Sequence, residues 1–193
     1  MVLGDLFEVP VDSIVNSENS RFRMAPPGHR SVSGQLAERF PEVPRDLAKQ
    51  ANKWWAEDGE EPLPKEGLPL GTVLETPGYS EYQCIYHLGH HPPAMWHAGE
   101  LSGDEQAQHF RVIRGGVADV LQRFADTDME SVAFPLIVCG SFRLDPWLLA
   151  YEFIDEVMAH ANQPAMHDKQ IWLVVLDEDD FDEALNAIIQ ALS

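Results

Sequence analysis

A chain of 193 residues with 45% hydrophobic content is long enough to bury one sizeable core, so residues 1–193 are expected to form a single domain. Lys and Arg number 13 against 32 Asp and Glu, a net charge of −19 with no concentrated basic stretch, and such a field repels nucleic acid. The two cysteines, Cys84 and Cys139, lie in apolar runs that argue against a disulfide framework. With neither a basic leader before an apolar stretch nor a run of about 20 apolar residues, no membrane association and a cytoplasmic location are expected.

Residues 1 to 8 predict a short strand ending near Gly4-Asp5, and residues 12 to 16 a second strand behind the turn at Pro10. The run VDSIVNSEN, 11–19, reads as a buried strand that ends in polar residues and delivers a loop to a site. Residues 20–30, SRFRMAPPGHR, are that loop. SVSGQLAERF then opens a helix with a serine cap, which places Ser31 and Ser33 beside free backbone N–H groups. A helix over 44–57 has Pro44 in its first turn and ends at Trp54 and Trp55, both read as packing residues. The acidic, Pro- and Gly-rich stretch 57–69 reads as an exposed loop.

TVLET and QCIYHL are the next strands, an antiparallel pair by their short connection. A Pro/His/Gly loop leads into a helix over 104–124 whose middle Gly115-Gly116 weakens. The strand SVAFPLIV follows, delivering Cys139, Gly140, Ser141 and Phe142 to a loop, and then a helix over 146–160. IWLVVL reads as a fully buried strand. A closing helix from Asp179 or Asp180 sets Phe181, Leu185, Ile188 and Leu192 against the sheet.

Strands alternating with helices predict an α/β fold, a three-layer α/β/α domain with a mixed central sheet. In such sheets ligands bind beyond the carboxyl ends of strands, here the ends near Asn16 and Asn19 and near Cys139. Arg21, Arg23, Arg30 and Arg39 form a loose group suited to a small anionic ligand. His87, His90, His91 and His97 have no recognisable ligand spacing, Pro92-Pro93 separates them, and no metal is expected. No cofactor is expected either.

GDLF at the start, IVNSEN, GTVLETPGY before IYHLG, and SVAFPLI feeding a Gly-aromatic loop occur in an order that resembles the macro domain, the ADP-ribose-binding fold. The resemblance covers nearly the whole chain. It implies that Asp5, with Leu6 beside it, accepts a hydrogen bond from an adenine amino group, that Asn19 lies near the distal ribose and that Asn16 ties down its loop. It implies that Ser31, Val32 and Ser33 close a diphosphate loop, and that Cys139, Gly140, Ser141, Phe142 and Arg143 form a second loop with Phe142 over the ribose. Two departures stand out. Gly28-His29-Arg30 replaces consecutive glycines, with Arg30 supplying charge instead, and Arg143 replaces a glycine.

The family's hydrolases carry an acid near the place of Ser33, and a hydroxyl there is a poor base unless another group activates it. Asp145, before Pro146, reads as a helix cap. The expected function is therefore binding of ADP-ribose or a related adenine nucleotide, the partner being the free ligand or an ADP-ribosylated protein. The alternatives are a hydrolase of ADP-ribose adducts and a scaffold that has lost its ligand.

Overall fold

The computed structural model describes residues 1–56, 63–91, 102–137 and 144–193. Six strands are present: β1 (Val2–Leu3), β2 (Ser13–Asn19), β3 (Val73–Pro77), β4 (Cys84–His91), β5 (Ser131–Pro135) and β6 (Gln170–Val175). Five α-helices accompany them: α1 (Val32–Arg39), α2 (Val43–Trp55), α3 (Gly103–Ala125), α4 (Pro146–Ala161) and α5 (Glu178–Ala191). Most helices start where a side chain satisfies exposed backbone donors. Ser31, Ser102, Asp145 and Asp177 cap α1, α3, α4 and α5, and Ser102 with Glu105 completes a capping box. No helix among the described residues is long and apolar enough to cross a membrane.

The strands form one mixed sheet in the order β1-β6-β5-β2-β4-β3, with β3 antiparallel to β4 and every other pair parallel. The expected α/β architecture is present. The middle of the sheet is fastened by Asp12, just before β2, whose Oδ2 accepts from the N–H groups of Glu130 and Ser131 at the start of β5.

Alternation along β2 sorts the core into two layers. Ile14 packs with Leu36, Phe40 and Val43 of the α1–α2 side, whereas Val15 packs with Val117, Leu121 and Phe124 of α3 on the opposite face. Helices α4 and α5 join the second layer through Leu149, Ala150, Ala184 and Ala187.

Several local expectations need correction. β2 continues to Asn19, because parallel pairing with β4 runs as far as Asn19 opposite His91. β5 stops at Pro135, which has no N–H to offer a ladder, although Leu136 N beyond it still donates to Val174 O at 3.1 Å. Trp54 and Trp55 are exposed, since the buried stripe of α2, Val43–Leu47–Ala51, ends one turn before them. In α5 the inward residues are Ala184 and Ala187 with Phe181 and Ile188, and Leu185 and Leu192 face outward. The small alanines let α5 approach α4 closely.

Gly115 and Gly116 do not interrupt α3. A Cβ on Gly116 would lie 2.1 Å from Leu88 Cδ1, so the glycine permits close approach of helix and strand. Gly116→Ala is expected to destabilise the protein by about 2 kcal/mol through overpacking, despite alanine's better helix propensity. Urea denaturation beside Gly115→Ala, where a Cβ meets nothing within 4 Å, separates the two effects.

Candidate functional site

The parallel strands β1, β2, β4, β5 and β6 end on one edge of the sheet. β2 and β5 are neighbours there, and the chain leaves them in opposite directions, toward β4 from one and β6 from the other. The loop after β2 leads to α1 on one face, and the segment after β5 leads to α4 on the other. This is a topological switch point, the place where open α/β sheets form a crevice.

On the α1 side of that edge lies a buried polar chain centred on Glu18. Because β2 continues past Asn16, Asn16 and Glu18 point to the same face. Asn16 Nδ2 donates to Glu18 Oε1 at 2.8 Å and approaches His87 Nδ1 at 3.1 Å. His87 Nε2 lies 2.9 Å from Thr76 Oγ1. On the other side, Ser33 Oγ of α1 donates to the same Glu18 oxygen and accepts from the Ala25 N–H at 2.9 Å. A side-chain amide nitrogen only donates, so His87 Nδ1 is an acceptor and its neutral ring carries the proton on Nε2, toward Thr76.

Burial dominates the electrostatics of this chain. It pushes the Glu18 carboxyl up to about 7, against hydrogen bonds from Ser33, Asn16 and the Asn19 backbone that favour the charged form. The same desolvation pushes His87 down to about 3 and keeps it neutral. Asn16 Oδ1 is buried without a partner among the described residues.

Sequence reasoning does not single out Glu18 or Thr76. Asn16, expected to tie down its loop, faces Glu18 and His87. The available signal was the i, i+2 pair of polar residues in IVNSEN, which becomes a buried pair only once the strand is extended by three residues.

The head of α1 lies beside this polar chain. Ser31 Oγ accepts from Gly34 N at 3.2 Å, and the N–H groups of Val32 and Ser33 have no intrahelical carbonyl to meet. His29 Nδ1 accepts from the Ser31 N–H at 3.2 Å and meets the Ser31 hydroxyl at 2.9 Å. Gly34 is required here, since a Cβ would lie 2.5 Å from His29 O. Arg30 is exposed, its carbonyl held by Gln35 Nε2 at 3.1 Å.

Asn19 is committed to the loop that follows it. Its Oδ1 accepts from Arg21 N at 3.0 Å and Arg23 N at 3.4 Å, and its Nδ2 donates to Arg23 O at 2.7 Å. The clasp encloses Phe22, which has a left-handed φ of 52° and a buried ring. Gly89 makes room for that ring, because a Cβ there would approach Phe22 Cζ to 2.8 Å. Such a conformation in a phenylalanine persists only where its surroundings over-determine it.

Asp5 caps the short 3-10 turn Leu6–Glu8, its Oδ1 accepting from Phe7 N at 2.9 Å. Leu6 is buried in the same cluster as Leu36 and Phe40 of α1, so Asp5 shares the α1 side of the sheet with Ser31–Ser33. Cys139, Gly140, Ser141, Phe142, Arg143 and His97 lie outside the described residues. Asp145 caps α4, accepting from Trp147 N and Leu148 N.

The histidines divide between the two faces. His87 belongs to the chain just described, while His90 lies toward α3 with its Nδ1 3.3 Å from His109 Nε2. Burial and neighbouring histidines hold His90 well below the ordinary range, and burial with His91 lowers His109 to about 4. Among the described residues no three metal-ligating side chains are grouped to hold an ion.

Comparison with known proteins agrees with this architecture. The model of the macro domain family matches residues 15–151. An uncharacterized protein of Pyrococcus horikoshii is 23% identical over 192 residues, covering 97% of this chain and 92% of that protein. The Oceanobacillus iheyensis macrodomain with ADP is similar at a TM-score of 0.73 and 18% identity, over 98% of this chain and 89% of that one. The Trypanosoma brucei macrodomain in complex with ADP-ribose is similar at 0.69 and 16% identity, over 96% of this chain and 67% of that one. Identities this low speak for the fold alone, whereas the family model spans well over half of the sequence: the chain belongs to the macro domain family.

Proposed function

We propose that this protein binds ADP-ribose in the crevice along the carboxyl edge of the sheet, with the diphosphate at the head of α1. The observation that carries this reading is the first turn of α1, where the Val32 and Ser33 N–H groups open beside the end of β2 with Arg30 exposed next to them. Family membership supports it, as do relatives whose structures hold ADP and ADP-ribose. Asp5 keeps Oδ2 for the adenine amino group while Oδ1 holds Phe7 N. Asn19 shapes the ribose side through its loop, and Phe142, within the segment Cys139–Arg143, covers the ribose. An ADP-ribosylated protein presents the same moiety. One domain over residues 1–193 and a cytoplasmic setting belong to the same proposal.

Binding is favoured over hydrolysis by the state of the candidate groups. Ser33 is 6% exposed with its hydroxyl turned to Glu18, and Asp145 is occupied as a cap.

Calorimetric titration with ADP-ribose tests the reading: a saturable heat is expected, and no heat or thermal shift at millimolar ligand returns the chain to the scaffold alternative. Asp5→Ala is expected to weaken adenine-containing ligands about tenfold, through loss of one hydrogen bond to a charged acceptor. Ribose phosphate affinity should not move, and equal losses for both ligands would remove the base-reading role.

A further inference from the structure

Glu18 is 3% exposed behind the first turn of α1, and Ser33 joins the two. Its backbone N–H belongs to the turn that faces a ligand, and its hydroxyl donates to the carboxyl. A negative charge seated on that turn therefore lies one residue away from a second negative charge in a water-poor setting.

That carboxyl is met by the donors Asn16 Nδ2 and Ser33 Oγ rather than by counter-ions. From β4 comes His87, neutral through burial, and from β3 Thr76. Beyond Thr76 is Tyr79, whose phenol is pushed up to about 12 by burial and by its hydrogen bond to Asp46 of α2. In α1 itself the charged residues Glu38 and Arg39 are at the far end of the helix and exposed. The loop between β2 and α1 carries Arg21, half-buried, and Arg23, His29 and Arg30, all exposed. None of these forms an ion pair with Glu18 among the described residues.

We propose that seating an anionic diphosphate at the head of α1 drives a proton onto Glu18, so that ligand binding is coupled to proton uptake and weakens as pH rises. This rests on the diphosphate reading given above. Two like charges this close are not both retained when one can be neutralised, and a diphosphate diester does not titrate near neutrality. The carboxyl does, because burial already holds it at about 7. A receiver for the new O–H is at hand. Turning the Asn16 amide over brings its unpartnered Oδ1 to the place where Nδ2 now meets Glu18 and His87. An acid–amide bond replaces the carboxylate–amide bond, and the neutral His87 ring exchanges its proton from Nε2 to Nδ1 while the Thr76 hydroxyl donates to Nε2. Linkage fixes the sign: a ligand that raises the Glu18 pKa binds more tightly where the group is protonated. Glu18 acts here as a positioning residue through Ser33, without touching the ligand.

The test is titration of the full chain with ADP-ribose in buffers of different ionisation enthalpy. Near pH 7.5, roughly half a proton or more should be taken up per ligand, and affinity should fall roughly tenfold between about pH 6 and about pH 8. Glu18→Gln should flatten the affinity profile and abolish the buffer dependence. Ser33→Ala removes a donor to the charged carboxylate and should move the midpoint of the profile upward, giving a second readout should Glu18→Gln fold poorly. Measurable binding with no buffer dependence overturns the proposal and leaves the binding reading standing, as does a pH dependence that persists in Glu18→Gln. Absence of binding at every pH removes the reading itself.

Discussion

Replacing Gly67 with alanine is expected to lower the unfolding free energy by about 3 kcal/mol or more. Gly67 has a φ of +83°, a conformation that side-chain-bearing residues rarely adopt. A Cβ there would lie 2.3 Å from Ser20 O, 2.4 Å from Ser20 C and 2.7 Å from Arg21 N, all backbone atoms with no rotamer to give way. The contact is fastened on both sides, by Leu68 N donating to Ser20 O at 2.7 Å and Ser20 Oγ donating to Glu66 O at 2.6 Å. Relief must displace Ser20 or Arg21, and with them the turn that Asn19 holds around Phe22. Ligand affinity should therefore fall with stability. Gly103→Ala, at the start of α3 with nothing within 4 Å of its Cβ, should change stability by less than about 0.5 kcal/mol. A Gly67→Ala loss no larger than that control, measured by urea denaturation, would show that the two segments are not locked.

The second large effect is a pH dependence of stability with two opposed parts. Glu18 goes from an ordinary 4.5 to about 7 on folding. The folded state holds the extra proton, so its contribution is full below about 4.5 and is lost as pH rises through 7, roughly 3 kcal/mol in all. His87 goes from 6.5 to about 3. The unfolded state there binds the extra proton, so this contribution is present above about 6.5 and is lost as pH falls through 3, on the order of 5 kcal/mol. Between about pH 4.5 and 6.5 the two slopes cancel. The difference in unfolding free energy between wild type and Glu18→Gln should thus move by about 3 kcal/mol against the wild type from pH 4.5 to 7. Parallel curves for the two proteins would mean that Glu18 titrates as an exposed acid.

The sequence carried the architecture further than the site. Element order and the antiparallel β3–β4 pair were legible because each rests on local periodicity and short connections, and Ser31 and Asp145 as caps because a cap is read from neighbouring residues. The facing of α5 is not legible in its sequence because Leu185 and Leu192 outrank alanine in hydropathy, whereas close contact with α4 buries the small residues Ala184 and Ala187. Glu18 escaped for a related reason. A carboxylate is among the residues least often buried, and its burial here follows from pairing of β2 with β4 and from Ser33 arriving on α1. Both are tertiary facts joining residues 15 and about 70 positions apart. Likewise Gly67 reads as an ordinary loop glycine until Ser20 is placed beneath it.

The Asp12 fastening also orders events in time. It links β2 to residues 118 and 119 positions later, while the opposite edge of β2 is satisfied by β4 about 71 positions away. During synthesis the β2–β4–β3 half therefore has its partners before Ser131 exists, and β2 then presents an unpaired edge with the side of the crevice toward β5 missing. A chain cut short before Ser131 holds the residues around Glu18 and the head of α1 but lacks the strand that pairs beside them and the core residues that follow it. Such fragments are candidates for strand-edge aggregation rather than for weak ligand binding, and solubility is the property in which truncation will first show.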